Sequence, residues 1–182
     1  KRVALKLLQS DLNEDREAVD RFLREAQSAS KIGHPHIVEI TDFGEVSGRG
    51  NFLVMEYLEG RDLAAELSHL GSLDQRRAID IAMQCCEALD AAHAKGIIHR
   101  DIKPANVFLH ARDDGADFVK VVDFGIAKMN PVETARVPAR KLTRTGVVYG
   151  TPDYMAPEQA YGRNIDHRVD IYAVGVILHE MV

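Results

Sequence analysis

Ile97-Ile98-His99-Arg100-Asp101-Ile102-Lys103-Pro104-Ala105-Asn106-Val107-Phe108-Leu109 is the stretch whose reading decides the fold. Two short apolar runs, Ile97-Ile98 and Val107-Phe108-Leu109, enclose a charged loop in the manner of two strands presenting a turn. The loop holds a carboxylate, Asp101, a lysine two residues on, Lys103, and an amide, Asn106, five residues after the carboxylate. Further along, Val119-Lys120-Val121-Val122 runs as another apolar strand straight into Asp123-Phe124-Gly125. A carboxylate able to take a proton, with an amide and a second carboxylate able to hold a hard cation, is the equipment that phosphoryl transfer needs.

A chain of 182 residues is long enough for one large domain or two small lobes. Its 28 acidic and 23 basic residues leave a net charge of −5, without the basic footprint of a nucleic-acid partner. The two cysteines, Cys85 and Cys86, are neighbours in sequence, a geometry unfavourable for a mutual disulfide. That points to a reducing, cytoplasmic location. The apolar run Ile171 to Leu178 is too short for a membrane span and continues into His179 and Glu180, so no membrane contact is expected. No signal peptide is legible. Both ends read as cut, with a strand beginning at Val3 and an apolar helical run reaching Val182 uncapped. The expectation is a segment of a longer protein, with any sensor or transmembrane region lying outside it.

Val3 to Leu8 is predicted as a strand interrupted by one charge, Lys6, whose plainest reading is a solvent-facing edge lysine. Asn13 is predicted to cap a helix with Glu14 and Asp15 in its first turn and an apolar stripe through Val19, Phe22, Ala26, Ala29 and Ile32. Glu25 flanks that stripe and needs a partner if buried, for which Lys6 is the candidate. After Gly33-His34-Pro35, strands are predicted over His36 to Asp42 and Asn51 to Tyr57, joined by a turn at Ser47 to Gly50. Ser72-Leu73-Asp74-Gln75 reads as a capping box opening a helix to Lys95, closed by Gly96. Its inward stripe makes Cys85 a core thiol, and His93 in the last turn complements the helix dipole. The 36 residues from Asp123 to Glu158 show little periodicity, the mark of a functional or disordered connection. Between Lys128 and Arg144 they carry five cations against one acid, Glu133.

The catalytic-loop stretch resembles that of eukaryotic-type protein kinases, His-Arg-Asp with an Asn five residues after the Asp, and Asp123-Phe124-Gly125 resembles their metal-binding triplet. Val3-Ala4-Leu5-Lys6, Glu25 and Ala156-Pro157-Glu158 stand in the family's order around them. Ala105 and the run Asp166-His167-Arg168-Val169-Asp170 are most similar to bacterial serine/threonine kinases. The resemblance implies a bilobal α+β fold: residues 1–57 as a partial N-terminal lobe, with a small antiparallel sheet and one helix, and residues 58–182 as a partial, larger, mainly helical lobe. The family's glycine-rich loop and its later helices are expected outside the segment.

The same resemblance implies the roles. Asp101 accepts or orients the substrate hydroxyl proton, Lys103 neutralises charge on the moving phosphoryl group, and Thr151 completes the catalytic set. Asn106 and Asp123 hold Mg2+, with Mn2+ as a substitute. ATP is expected against Ala4, Met55, Phe108 and the hinge Glu56-Tyr57-Leu58, with Asp62 near the ribose and Lys6, fixed by Glu25, on its phosphates. Thr143 and Thr145 resemble paired phospho-acceptors that Arg100 and Lys128 would clamp. Partners are then ATP, a protein bearing Ser or Thr, and a second kinase copy for autophosphorylation. Ala105 departs from the glutamate with which some kinases hold basic substrates. A catalytically inactive kinase-like scaffold or sensor domain is the alternative, although such a chain would be expected to lose Lys6, Asp101 or Asp123, and all three are present.

Overall fold

Period-two alternation decides which way Lys6 faces. In the computed structural model, which describes residues 2–8, 19–20, 23, 26–27, 29–46, 50–112, 115–124, 152–162 and 165–182, strand β1 (Val3–Leu7) turns Val3, Leu5 and Leu7 outward and leaves Ala4 and Lys6 half-buried. The lone charge therefore faces inward, opposite to the solvent-facing reading of an edge lysine. β1 pairs antiparallel with β3 (Gly50–Glu56), setting Lys6 opposite Leu53 and Ala4 opposite Met55. β3 pairs on its other side with β2 (Ile40–Val46), so the first sheet has the order β1-β3-β2. Helix α1, described as helical at residues 19–20, 23, 26–27 and 29–30, buries Ala26 and Ala29. Asn13, Phe22 and Glu25 lie outside the described residues.

The two predicted strands are displaced toward their connection. His34 to Ile37 forms a turn instead, closed by the Ile37 amide on the His34 carbonyl at 3.0 Å. Ile37 and Val38 then bond to a second sheet: Val38 N–H donates to Val121 O at 3.0 Å, and Val121 N–H to His36 O at 2.8 Å. Apolar character marked these residues as buried, but their backbone partners lie across the molecule.

The second sheet has the order β4-β5-β6, built from β4 (Gly60–Asp62), β5 (Val107–Ala111) and β6 (Asp117–Val121). Gly60, at φ +139°, lies so close to β5 that a Cβ would overlap the Leu109 carbonyl oxygen at 2.0 Å. Val107-Phe108-Leu109 is thus a strand as expected, but Ile97-Ile98 is irregular backbone and not its partner.

Helix α2 spans Leu63–Leu70 and α3 spans Gln75–His93. The N-cap of α3 is Asp74, whose Oδ1 accepts from Arg76 and Arg77 N–H, so the predicted Ser72 box is replaced by a carboxylate one residue before the helix. The helix stops at His93, leaving Lys95 beyond it. Buried Ile81, Cys85, Leu89 and Ala92 of α3 face the core with Val174 and Ile177 of α5 (Arg168–Met181). Each large aliphatic so buried contributes about 1.5–3 kcal/mol. Cys85 is the expected core thiol, and burial pushes its pKa up to about 12. Short helix α4 (Pro157–Tyr161) precedes α5.

Arg77 knits the helices to the second sheet. Its guanidinium donates two hydrogen bonds to Asp117, at 2.7 and 3.0 Å, and meets Glu66 at 2.6 Å. Both carboxylates hold its pKa well above the ordinary arginine value. Among the described residues, no buried side-chain nitrogen or oxygen lacks a hydrogen-bond partner.

Candidate active site

Asp170 organises the loop that carries Asp101. It is a carboxylate buried among apolar neighbours on α5, and such a group must be satisfied by donors. Its Oδ2 accepts from His99 N–H at 2.8 Å and from His93 Nε2 at 2.7 Å, while Oδ1 accepts from Arg100 N–H at 2.7 Å. Arg100 stands at φ +65°, a left-handed backbone that a non-glycine residue adopts at a cost, and the carboxylate holds it there. Neither Asp170 nor the contact of His93 was legible as part of the site. The signal was an acid inside the apolar run Val169 to Val174, which needs partners wherever the fold places them.

His99 is wholly buried and its two ring nitrogens have opposite duties. Nε2 faces the Val122 carbonyl at 3.0 Å and must donate, whereas Nδ1 accepts from Asp101 N–H at 3.2 Å. The ring lies against Phe124, centroid to centroid 4.6 Å. Burial lowers its pKa from the ordinary 6.5, more than the carboxylate of Asp170 raises it. The unfolded chain therefore binds a proton that the folded chain refuses, so this group's contribution to stability is present above pH 6.5 and lost as the pH falls below it. Thermal melts from pH 5.5 to 7.5 are expected to show a steeper acid loss in wild type than in His99→Tyr. The difference in slope should be at most about 1.4 kcal/mol per pH unit. His34, also lowered by burial, acts in the same direction in both proteins.

Around Asp101 the structure brings together Lys103 and Asn106. Lys103 Nζ donates to Asp101 Oδ2 at 3.1 Å. Asn106, in the 3₁₀ turn Pro104–Asn106, donates from Nδ2 to the Asp101 carbonyl at 2.8 Å and to Oδ2 at 3.4 Å. Val122 N–H donates to the Asn106 carbonyl at 3.0 Å, which brings Asn106 beside the residue before Asp123. Asp123, at φ +56°, accepts from Lys6 Nζ at 2.7 Å. Lys6 thus meets Asp123, while its expected partner Glu25 lies outside the described residues. So do Thr151, Lys128, Thr143 and Thr145.

A small cleft adjoins this pair, lined by Lys6, Ala26, Ala29, Met55, Asp123 and Phe124 among others. Met55, expected against ATP, is among the lining residues. Glu56 still belongs to β3, opposite Val3, and its Oε1 accepts from Lys120 Nζ at 2.6 Å and from Glu39 N–H at 2.9 Å. Tyr57 and Leu58 follow as the connection to β4. Asp62 is the N-cap of α2, accepting from Ala65 N–H at 2.8 Å, and pairs in the β4–β5 ladder with Phe108. Ala4 and Phe108, expected against ATP, are both half-buried, on β1 and β5.

The donor set fits a hard divalent cation: a carboxylate at Asp123, and at Asn106 an amide whose nitrogen edge is engaged by Asp101, leaving the oxygen edge for a ligand. No three His, Cys, Asp or Glu side chains gather as a metal cage among the described residues.

The arrangement agrees with what the whole chain matches. Residues 1–182 match the family model described as protein kinase domain. Among curated proteins, the chain is 47% identical over 180 residues to serine/threonine-protein kinase pkn3 of Myxococcus xanthus, covering 99% of this chain and 32% of that protein. It is 45% identical to Pkn1 of the same organism, covering 100% of this chain and 25% of that protein. Serine/threonine-protein kinase PknA of Mycobacterium tuberculosis is 40% identical, with 100% and 41% covered. The chain thus spans well under half the length of each. Among solved structures, the PknI kinase domain of Mycobacterium tuberculosis superposes with a TM-score of 0.73 at 30% identity, over 98% of this chain and 62% of that one.

Proposed function

The chain belongs to the protein kinase domain family, and from that premise we propose that it moves the γ-phosphoryl group of ATP to serine or threonine hydroxyls of proteins. The observation that carries the reading is the convergence of Asp101, Lys103, Asn106, Asp123 and Lys6 from three separate segments. Asp101 orients the attacking hydroxyl and takes its proton. Lys103, at 3.1 Å from that carboxylate, offsets charge on the transferred group. Lys6 positions the α- and β-phosphates and exchanges its contact with Asp123 for them. Asp123 and Asn106 hold magnesium, which supplies positive charge against the phosphate oxygens. Met55 closes the rear of the cleft, and the backbone after Glu56 meets the adenine edge.

Lys6→Met in the full-length protein is expected to lower transfer of radiolabelled phosphate by at least about 10²-fold, with the melting temperature retained, because the triphosphate loses its positioning cation. Unchanged transfer would remove Lys6 from the site.

Regulation enters through the basic stretch after Asp123. A phosphate on Thr143 or Thr145 adds about −2 charge and three acceptor oxygens, which Arg100 and Lys128 clamp. Activity is then expected to rise with autophosphorylation between two copies, and Thr143→Ala with Thr145→Ala to lower it. Mass spectrometry that maps phosphate only outside residues 123–158, or full activity of the double variant, would overturn this.

A further inference from the structure

Lys95 occupies a position that neither its sequence context nor the catalytic set explains. It lies one residue beyond the α3 C-cap, Ala94, and its own backbone is fixed: Lys95 N–H and Ile97 N–H both donate to Ala92 O, each at 3.0 Å. Two residues earlier His93 is held on Asp170, and four residues later His99 begins the loop of Asp101. The Lys95 ammonium leaves this anchored turn and donates to the carbonyls of Lys31 and Ile32, the latter at 2.7 Å. Those carbonyls stand at the C-terminal end of α1, where the helix has used its last internal donors and carries the negative end of its dipole. Among the described residues this end of α1 thus receives a full charge and two hydrogen bonds from the element that supports the catalytic loop.

The other face of α1 shows what that controls. Ala26 and Ala29 line the cleft with Lys6, Asp123 and Phe124, so the position of α1 sets the wall against which Lys6 stands. The geometry points to Lys95 as a positioning residue that docks α1 on the base of the catalytic loop and keeps the nucleotide cleft in its binding-competent shape. This rests on the phosphoryl-transfer reading for its kinetic consequence only. With the tie cut, the competent arrangement is a smaller fraction of the population, and the apparent affinity for ATP falls by that fraction. Nucleotide binding restores the arrangement, so the rate from the bound complex changes little.

The test uses the full-length protein as Lys95→Met, which keeps the stem and loses the charge, and Lys95→Arg, which keeps both. For Lys95→Met the KM for ATP is expected to rise about three- to tenfold with kcat within about twofold, and Lys95→Arg to restore most of the loss. Hydrogen exchange, read without ATP, is expected to quicken about fivefold at the described end of α1, residues 29–32, and to stay unchanged in α3. Unchanged exchange at residues 29–32 overturns the inference, as does equal quickening in α3 or a parallel fall of kcat that arginine does not rescue. If wild type transferred no phosphate, the kinase reading would fail, and the exchange contrast would still decide whether Lys95 docks α1.

Discussion

Asp101→Asn is expected to lower phosphoryl transfer by about 10²–10⁴-fold while shifting the melting temperature by no more than a few degrees. The substitution is nearly isosteric. An asparagine at this position keeps an oxygen to accept from Lys103, now 3.1 Å from Oδ2, and leaves the backbone carbonyl that anchors Asn106 untouched. It cannot take a proton from a hydroxyl. Loop geometry and nucleotide affinity should therefore survive while turnover does not. The check is radiolabel transfer to a generic protein substrate beside a nucleotide titration of the same sample. Full turnover would show that the proton leaves by another route and that Asp101 is not the base. Loss of nucleotide binding would show that Asp101 supports the cleft instead of the chemistry.

Asp170→Ala should have the largest effect on stability. Removing the carboxylate leaves the N–H groups of His99 and Arg100 without their acceptor in a buried site, and each such group costs about 1–3 kcal/mol. His93 loses its 2.7 Å partner as well, and the left-handed backbone of Arg100 loses what holds it. The combined loss is expected to be about 3–5 kcal/mol, a fall in melting temperature of about 10 °C or more for a chain of this size. Asp170→Asn keeps one acceptor oxygen and should fall between the two. Thermal denaturation of the three proteins tests this, with transfer activity measured well below the lower transition. A melting temperature within two or three degrees of wild type for Asp170→Ala would mean that the catalytic loop holds its shape without the carboxylate.

The sequence by itself determined the elements whose signals are local. Asp101, Lys103 and Asn106 sit within six consecutive residues, so their meeting follows from chain connectivity and one 3₁₀ turn. The strand character of Val3–Leu7 and the apolar stripe of α3 likewise needed no knowledge of what lay opposite, although which face of that strand turns inward did. Boundaries set by partners were not determined in this way. The apolar pair Ile37 and Val38 read as the start of a strand, yet its hydrogen bonds run to Val121, more than eighty residues away. Ile97-Ile98 looked like the strand mate of Val107-Phe108-Leu109, whose ladders are instead with Gly60–Asp62 and Asp117–Val121.

Only the tertiary structure decided where the charged side chains find their partners. His93 could be placed at a helix end from sequence, where a cation suits the dipole, but not against Asp170, 77 positions on. Lys120 reads as one polar residue in an apolar strand until Glu56 is brought to 2.6 Å from it. Lys6 meets Asp123 across 117 positions, and Lys95 meets α1 across more than sixty. The physical reason is the same in each case. A side chain's apolar burial is announced by periodicity along its own element, whereas a charged group is satisfied by whichever donor or acceptor the packing of two elements delivers, and no local pattern encodes that pairing.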